Sequence, residues 1–103
     1  MSKAWDPDDI FDILASKDVR RILVATSVQP MSAKELAEVC DRSLATIYRR
    51  VQAMENYNLL TEEVTSDPDG TQYSEYRSEL TEITISLEQG QIDVDLTIEK
   101  VAV

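Results

Sequence analysis

From Ser43 to Gln52 the chain reads Ser-Leu-Ala-Thr-Ile-Tyr-Arg-Arg-Val-Gln, a run in which hydroxyl, amide and guanidinium groups surround apolar positions. If the run is helical, each residue turns the side-chain direction by about 100°. With Ile47 pointing inward, Ala45, Arg49 and Gln52 lie nearly opposite it, flanked by Thr46, Tyr48 and Arg50. Those groups match what the edges of base pairs offer. A guanidinium such as that of Arg49 donates two hydrogen bonds to guanine, a carboxamide such as that of Gln52 pairs with adenine, and the methyl groups of Ala45 and Thr46 can meet those of thymine. Ser43, Thr46, Tyr48 and Arg50 suit phosphate oxygens, contacts that fix register without reading sequence. Lys34 and Arg42, basic residues on the N-terminal side of the run, complete the candidate set.

Other chemistries find little support. The chain has no histidine and one cysteine, Cys40, so neither a metal site nor an internal disulfide is expected. A nucleophile with its base and a glycine-rich phosphate loop are both missing from the sequence, and neither an enzyme nor a cofactor is expected. Cys40 reads as a small buried hydrophobe. No apolar run approaches the ~20 residues that span a bilayer, and the first residues do not resemble a signal peptide, which places the expected site of action in the cytoplasm.

The elements that would position the reading face can be traced along the chain. Asp6-Pro7-Asp8-Asp9 has the cap, the first-turn proline and the acidic residues of a helix start, and Ile10, Phe11, Ile13 and Leu14 supply a buried face. Ser16 caps a second helix in which Val19, Ile22, Leu23 and Thr26 repeat at helical spacing, with Lys17, Arg20 and Arg21 towards solvent and Pro30 beyond its end. Ser32-Ala33-Lys34-Glu35 fits a capping box, and Leu36, Ala37 and Cys40 face inward on the third helix. Asp41-Arg42-Ser43 interrupts it. A fourth helix then carries the apolar stripe Leu44, Ile47, Val51 and Met54, expected to be core, and Asn58 can adopt the left-handed conformation that ends it.

After Leu60 the period falls to two. The turn Asp67-Pro68-Asp69-Gly70 separates two strands, and a second hairpin alternates through Ile83, Ile85 and Leu87, turns at Glu88-Gln89-Gly90-Gln91, and alternates again through Ile92, Val94, Leu96 and Ile98. The expected fold is α+β, a winged helix-turn-helix in one domain over 1–103. Its helices fall at about 7–15, 17–28, 33–40 and 44–57, its wing at about 60–78 and its C-terminal hairpin at about 82–99. Trp5 is expected at the domain edge.

Charge is distributed unevenly. The formal net is −10, yet Lys17 to Gln52 holds seven basic residues against four acidic ones, and the surplus of acid lies outside that window. The wing has two aspartates at its tip, and Arg77 is its only basic residue, so the wing reads as mainly structural; the alternative is that its amides and Thr71 or Gln72 approach a phosphate once counterions screen the carboxylates.

Ala-Lys-Glu-Leu-Ala at 33–37, Ser-Leu-Ala-Thr-Ile-Tyr-Arg-Arg-Val at 43–51 and Asn-Tyr-Asn-Leu-Leu-Thr-Glu at 56–62 together resemble the archaeal branch of the ArsR-like winged-helix regulators. The resemblance implies that the helix with Ser43, Thr46, Tyr48, Arg49 and Arg50 enters the major groove of DNA. Three departures stand out. Asn58 takes the place of a glycine, no Cys-x-Cys metal motif is present, and a hairpin replaces the long final helix that often pairs protomers. The acid surplus with only four lysines, Lys3, Lys17, Lys34 and Lys100, also resembles proteins of salt-loving archaea. A sequence-specific transcription regulator follows, expected to bind double-stranded DNA as a homodimer on a palindromic site. The alternative is a winged-helix module that binds a protein partner through its acidic surface and has no affinity for DNA.

Overall fold

In the computed structural model the described residues are 2–99, with residues 2–5 described as backbone alone. The expected packing of Trp5 therefore concerns a side chain outside the described set.

Four helices form where the sequence offers start signals and an apolar face. Helix α1 (Pro7–Leu14) is capped by Asp6, whose Oδ1 accepts from the Asp8 amide at 2.9 Å. Helix α2 (Lys17–Val28) is capped by Ser16 and presents Val19, Ile22 and Thr26 to the core. Arg20 reaches back to the end of α1, where its Nη1 donates to the carbonyls of Leu14 and Ala15 at 2.7 and 3.0 Å. A cation is favoured there because the last carbonyls of a helix carry partial negative charge.

Helix α3 (Ala33–Cys40) begins in a complete capping box. The Ser32 hydroxyl accepts from the Glu35 amide, and the Glu35 carboxylate accepts from the Ser32 amide. Removing such a cap costs about 1 kcal/mol. Ser32→Ala is accordingly expected to lower the unfolding free energy by that amount, read in urea titration as a lower midpoint with an unchanged slope.

Helix α3 ends at Asp41, which takes a left-handed φ of 53°, while the Arg42 amide returns to the Ala37 carbonyl at 3.0 Å. Aspartate tolerates that conformation better than most side chains. The reversal is tight enough that helix α4 (Leu44–Asn56) starts after Ser43 and crosses α3 directly. Asn58, with φ 59°, closes α4: the Asn58 amide donates to the Glu55 carbonyl and the Leu59 amide to that of Met54. Leu59 and Met54 are both buried, so the same turn that satisfies the carbonyls also packs the end of the helix.

Two three-stranded antiparallel sheets complete the fold. Strands β3 (Thr61–Ser66) and β4 (Gln72–Arg77) form the wing, and β2 (Met31–Ser32) adds to the free edge of β4 through the pairs Met31 with Tyr76 and Ser32 with Glu75. Strands β5 (Leu80–Glu88) and β6 (Gln91–Ile98) form the C-terminal ribbon, and β1 (Ser2–Trp5) pairs with β6 from Thr97 to Val94. The order is thus β2-β4-β3 in one sheet and β1-β6-β5 in the other. Neither β1 nor β2 was expected from the sequence.

One cluster of buried side chains joins these layers. Ile10, Ile22, Leu36, Ile47 and Met54 come from the four helices, Tyr76 from the wing, and Val94 and Leu96 from the ribbon. The fold is an α+β winged helix-turn-helix, with four helices followed by a hairpin wing and a second hairpin. One expectation fails. Leu44 does not join the core stripe of α4; it is 45% exposed, because the first turn of that helix borders an open cleft, whereas Ile47, Val51 and Met54 are buried.

Candidate nucleic-acid interface

Ser43 sets the start of α4. Its Oγ accepts from the Thr46 amide at 3.2 Å and donates to the Thr46 Oγ1 at 2.9 Å. Both hydroxyls are therefore engaged in the cap, and Thr46 is half-buried. Beyond the cap, Ala45, Tyr48, Arg49 and Gln52 are exposed, while Arg50 is half-buried with a buried Nε that has no hydrogen-bond partner. Ile47 and Val51 turn the other way, into the core. Among the described residues, none covers this broad polar face of the helix.

The two basic residues outside the helix are placed differently. Lys34 is exposed on the first turn of α3 and lines a cleft of about 690 Å3 between the start of α3, α4 and the wing. The Nε of Arg42, in the turn, lies 3.2 Å from both carboxylate oxygens of Asp18. Asp18 is buried at the start of α2, so the pair fixes the turn against α2 and directs the Arg42 side chain that way. The remaining guanidinium nitrogens of Arg42 are available, since its side chain is 56% exposed.

The cleft brings in residues that sequence reasoning did not single out. Tyr73 on β4 and the exposed Leu44 line it together with Tyr48 and Tyr76. Nothing local marks Tyr73; it reaches the cleft because the wing folds back beside α4. The same wall carries the carboxylates of Glu35, Glu62 and Asp67. Desolvation and the carboxylates of Glu75, Asp67 and Glu35 push the Tyr73 phenol upward, so it remains a neutral donor at neutral pH.

Burial, followed by the carboxylates of Glu62 and Glu55, pushes the Tyr76 phenol up to about 12. Its ordinary value is 10.0, so above pH 10 the unfolded chain loses this proton while the folded chain keeps it. The corresponding stability is fully present below pH 10 and disappears as the pH rises towards 12. Melting temperature should therefore fall between pH 10 and pH 12, and that of Tyr76→Phe should fall measurably less over the same interval. An identical fall in both proteins would exclude this assignment.

The wing tip is closed upon itself. The Asp67 amide donates to the Thr71 carbonyl, the Gly70 amide to the Asp67 carbonyl, and the Thr71 amide to Asp69 Oδ1. Gly70 has φ +89°, which a side chain would strain. Hydrogen bonds from Thr71 hold the Asp69 carboxyl below its ordinary value, so it stays charged. Three amides that could have approached a phosphate are thus used inside the turn, next to two carboxylates.

Cys40 is buried, and burial and then Asp18 raise its thiol pKa, against the opposing influence of Arg21 and Arg42. It is a packing residue between α3 and its neighbours, with little thiolate at neutral pH.

An exposed polar helix held by a tight turn and flanked by a β-hairpin defines the winged helix-turn-helix class. Residues 14–63, spanning α2 to the first residues of β3, match the model of a helix-turn-helix domain family, which supports a DNA-binding regulator. No curated protein is significantly similar to the chain. Among the described residues, no helix is long and apolar enough to cross a membrane.

Proposed function

We propose that the chain is a sequence-specific transcription regulator that binds double-stranded DNA as a homodimer, with α4 of each copy in the major groove of a palindromic site. The observation that carries this reading is the uncovered face of α4, where Ala45, Tyr48, Arg49 and Gln52 project together from a rod the width of the groove. Arg49 and Gln52 read base edges, Ala45 and Thr46 offer methyl groups, and Ser43, Tyr48, Arg50, Lys34 and Arg42 meet the backbone. The protein has no enzymatic role in this reading and acts in the cytoplasm by occupying promoter DNA.

The acidic remainder of the molecule shapes how it binds. Glu35, Glu62 and Asp67 line the wing side of α4, so phosphates are better accepted on the side of Arg42, Arg49 and Arg50. Recognition rests on the helix, and the wing supports it. An ArsR-like protein of a salt-loving archaeon would meet these conditions, since at molar salt the Debye length is about 3 Å and carboxylates repel DNA little.

Gel-shift titration with genomic fragments and excess unrelated duplex decides the matter. A subset of fragments retained against competitor is the expected result. No retention at any salt concentration overturns the proposal in favour of a module that binds protein through its acidic surface.

A further inference from the structure

The apolar face of the C-terminal ribbon outruns the core that covers it. Ile83 pairs with Leu96, Ile85 with Val94, and Leu87 with Ile92, so all six side chains lie on one face. Near the helices, Val94 and Leu96 are buried and Ile83 packs against the core. Towards the tip, Ile85 is 54%, Leu87 80% and Ile92 41% exposed. Strand β1 ends its pairing at Val94, so the tip is a two-stranded ribbon, a unit that is marginal in water unless something packs on it. The molecule is correspondingly drawn out, 57 Å along its longest axis against 32 and 19 Å.

A second uncovered apolar surface lies on the helices. Val24 and Val28 on α2 and Val39 on α3 are 68%, 80% and 50% exposed. Lys17, Arg20, Arg21, Val24, Ala25 and Val39 together line an open depression there. Its charge is opposite to that of the ribbon. From Glu79 to Glu99 the chain has six acidic residues and no basic one, whereas the depression is edged by three cations and no carboxylate.

We infer that the ribbon tip docks on the α2–α3 depression of a second copy of this chain, reciprocally about a two-fold axis. The proposal rests on the homodimer reading above and names its interface. Leu87 and Ile92 meet Val24 and Val39, and docking brings the acidic ribbon as a whole, whose carboxylates flank and back its apolar face, up to Lys17, Arg20 and Arg21. A ribbon pairing with its own counterpart would bring like charges together, a cost the depression avoids. The two-fold arrangement satisfies both surfaces of both copies and leaves none to propagate an open chain. The polar face of α4 remains outside the contact.

The test uses the full chain and two exposed positions, Leu87→Ser on the ribbon and Val24→Asp in the depression, with Arg21→Glu as a second depression variant. Sedimentation equilibrium should give wild type twice the 11.6 kDa of one chain, with each variant raising the dimer Kd at least tenfold. An equimolar mixture of Leu87→Ser and Val24→Asp should recover a heterodimer, because the intact ribbon of one fits the intact depression of the other.

Loss of the dimer with Leu87→Ser alone, with both depression variants silent, overturns the proposal in favour of ribbon-on-ribbon pairing. So does a dimer unaffected by any variant, which leaves a dimeric regulator joined elsewhere, and so does a wild type that stays monomeric. Gel shifts on the same proteins report separately on whether α4 reads DNA at all.

Discussion

Leu36→Ala should remove about 2–5 kcal/mol of stability, the range for truncating a fully buried leucine. Leu36 is fully buried on α3, where that helix crosses both α2 and α4, and the helices around it cannot collapse into the space without moving the turn. A natural domain has only about 5–15 kcal/mol in total. The variant should therefore unfold at a markedly lower urea concentration, with the slope of the transition preserved. Glu38→Ala on the same helix is the control: its side chain is exposed and outside both proposed surfaces, and its cost should stay within about 0.5 kcal/mol. Equal losses at the two positions would mean that α3 is not seated as described.

The contrast between Leu36 and Leu44 shows what periodicity alone can and cannot say. Both fall on apolar stripes, but only the three-dimensional arrangement decides that Leu36 is buried while Leu44, in the first turn of α4, is left half exposed. The four helices were legible because their signals are local, in the caps Asp6, Ser16, Ser32 and Ser43 and in the spacing of Ile22, Leu36, Ile47 and Met54. The ribbon was legible because Ile83, Ile85 and Leu87 alternate.

Strands β1 and β2 were not, and for a physical reason. β2 is two residues long and exists only because Tyr76 and Glu75 offer it an edge, and β1 pairs residues near opposite ends of the chain. No local pattern encodes either partnership.

The candidate interface divides in the same way. The angular step along α4 separates Ala45, Arg49 and Gln52 from Ile47 on sequence grounds alone. It says nothing about Asp18 taking up Arg42 across 24 positions of chain, or about Tyr73 and three carboxylates standing beside Tyr48. Those neighbours come from tertiary packing, and they turn an apparently uniform basic segment into a helix with one basic and one acidic flank.

Arg49→Ala is expected to cost about 1–3 kcal/mol per half-site on the preferred duplex, the worth of one bidentate contact to guanine, or roughly 5- to 150-fold in affinity. In a two-fold complex both half-sites lose it. Arg49 is exposed, so the folded state gives up little, and urea unfolding of the variant should match wild type. Two comparisons separate base reading from simple loss of charge. Arg50→Ala, at the residue proposed to meet the DNA backbone, should weaken binding to preferred and unrelated duplexes alike. Arg49→Lys keeps the charge without the planar fork, and should recover non-specific binding while leaving discrimination poor. Quantitative gel shifts on a preferred site and on its guanine-substituted derivatives would measure all three. If Arg49→Ala binds the preferred site within twofold of wild type, with the site preference unchanged, then the outward face of α4 is not what reads the sequence.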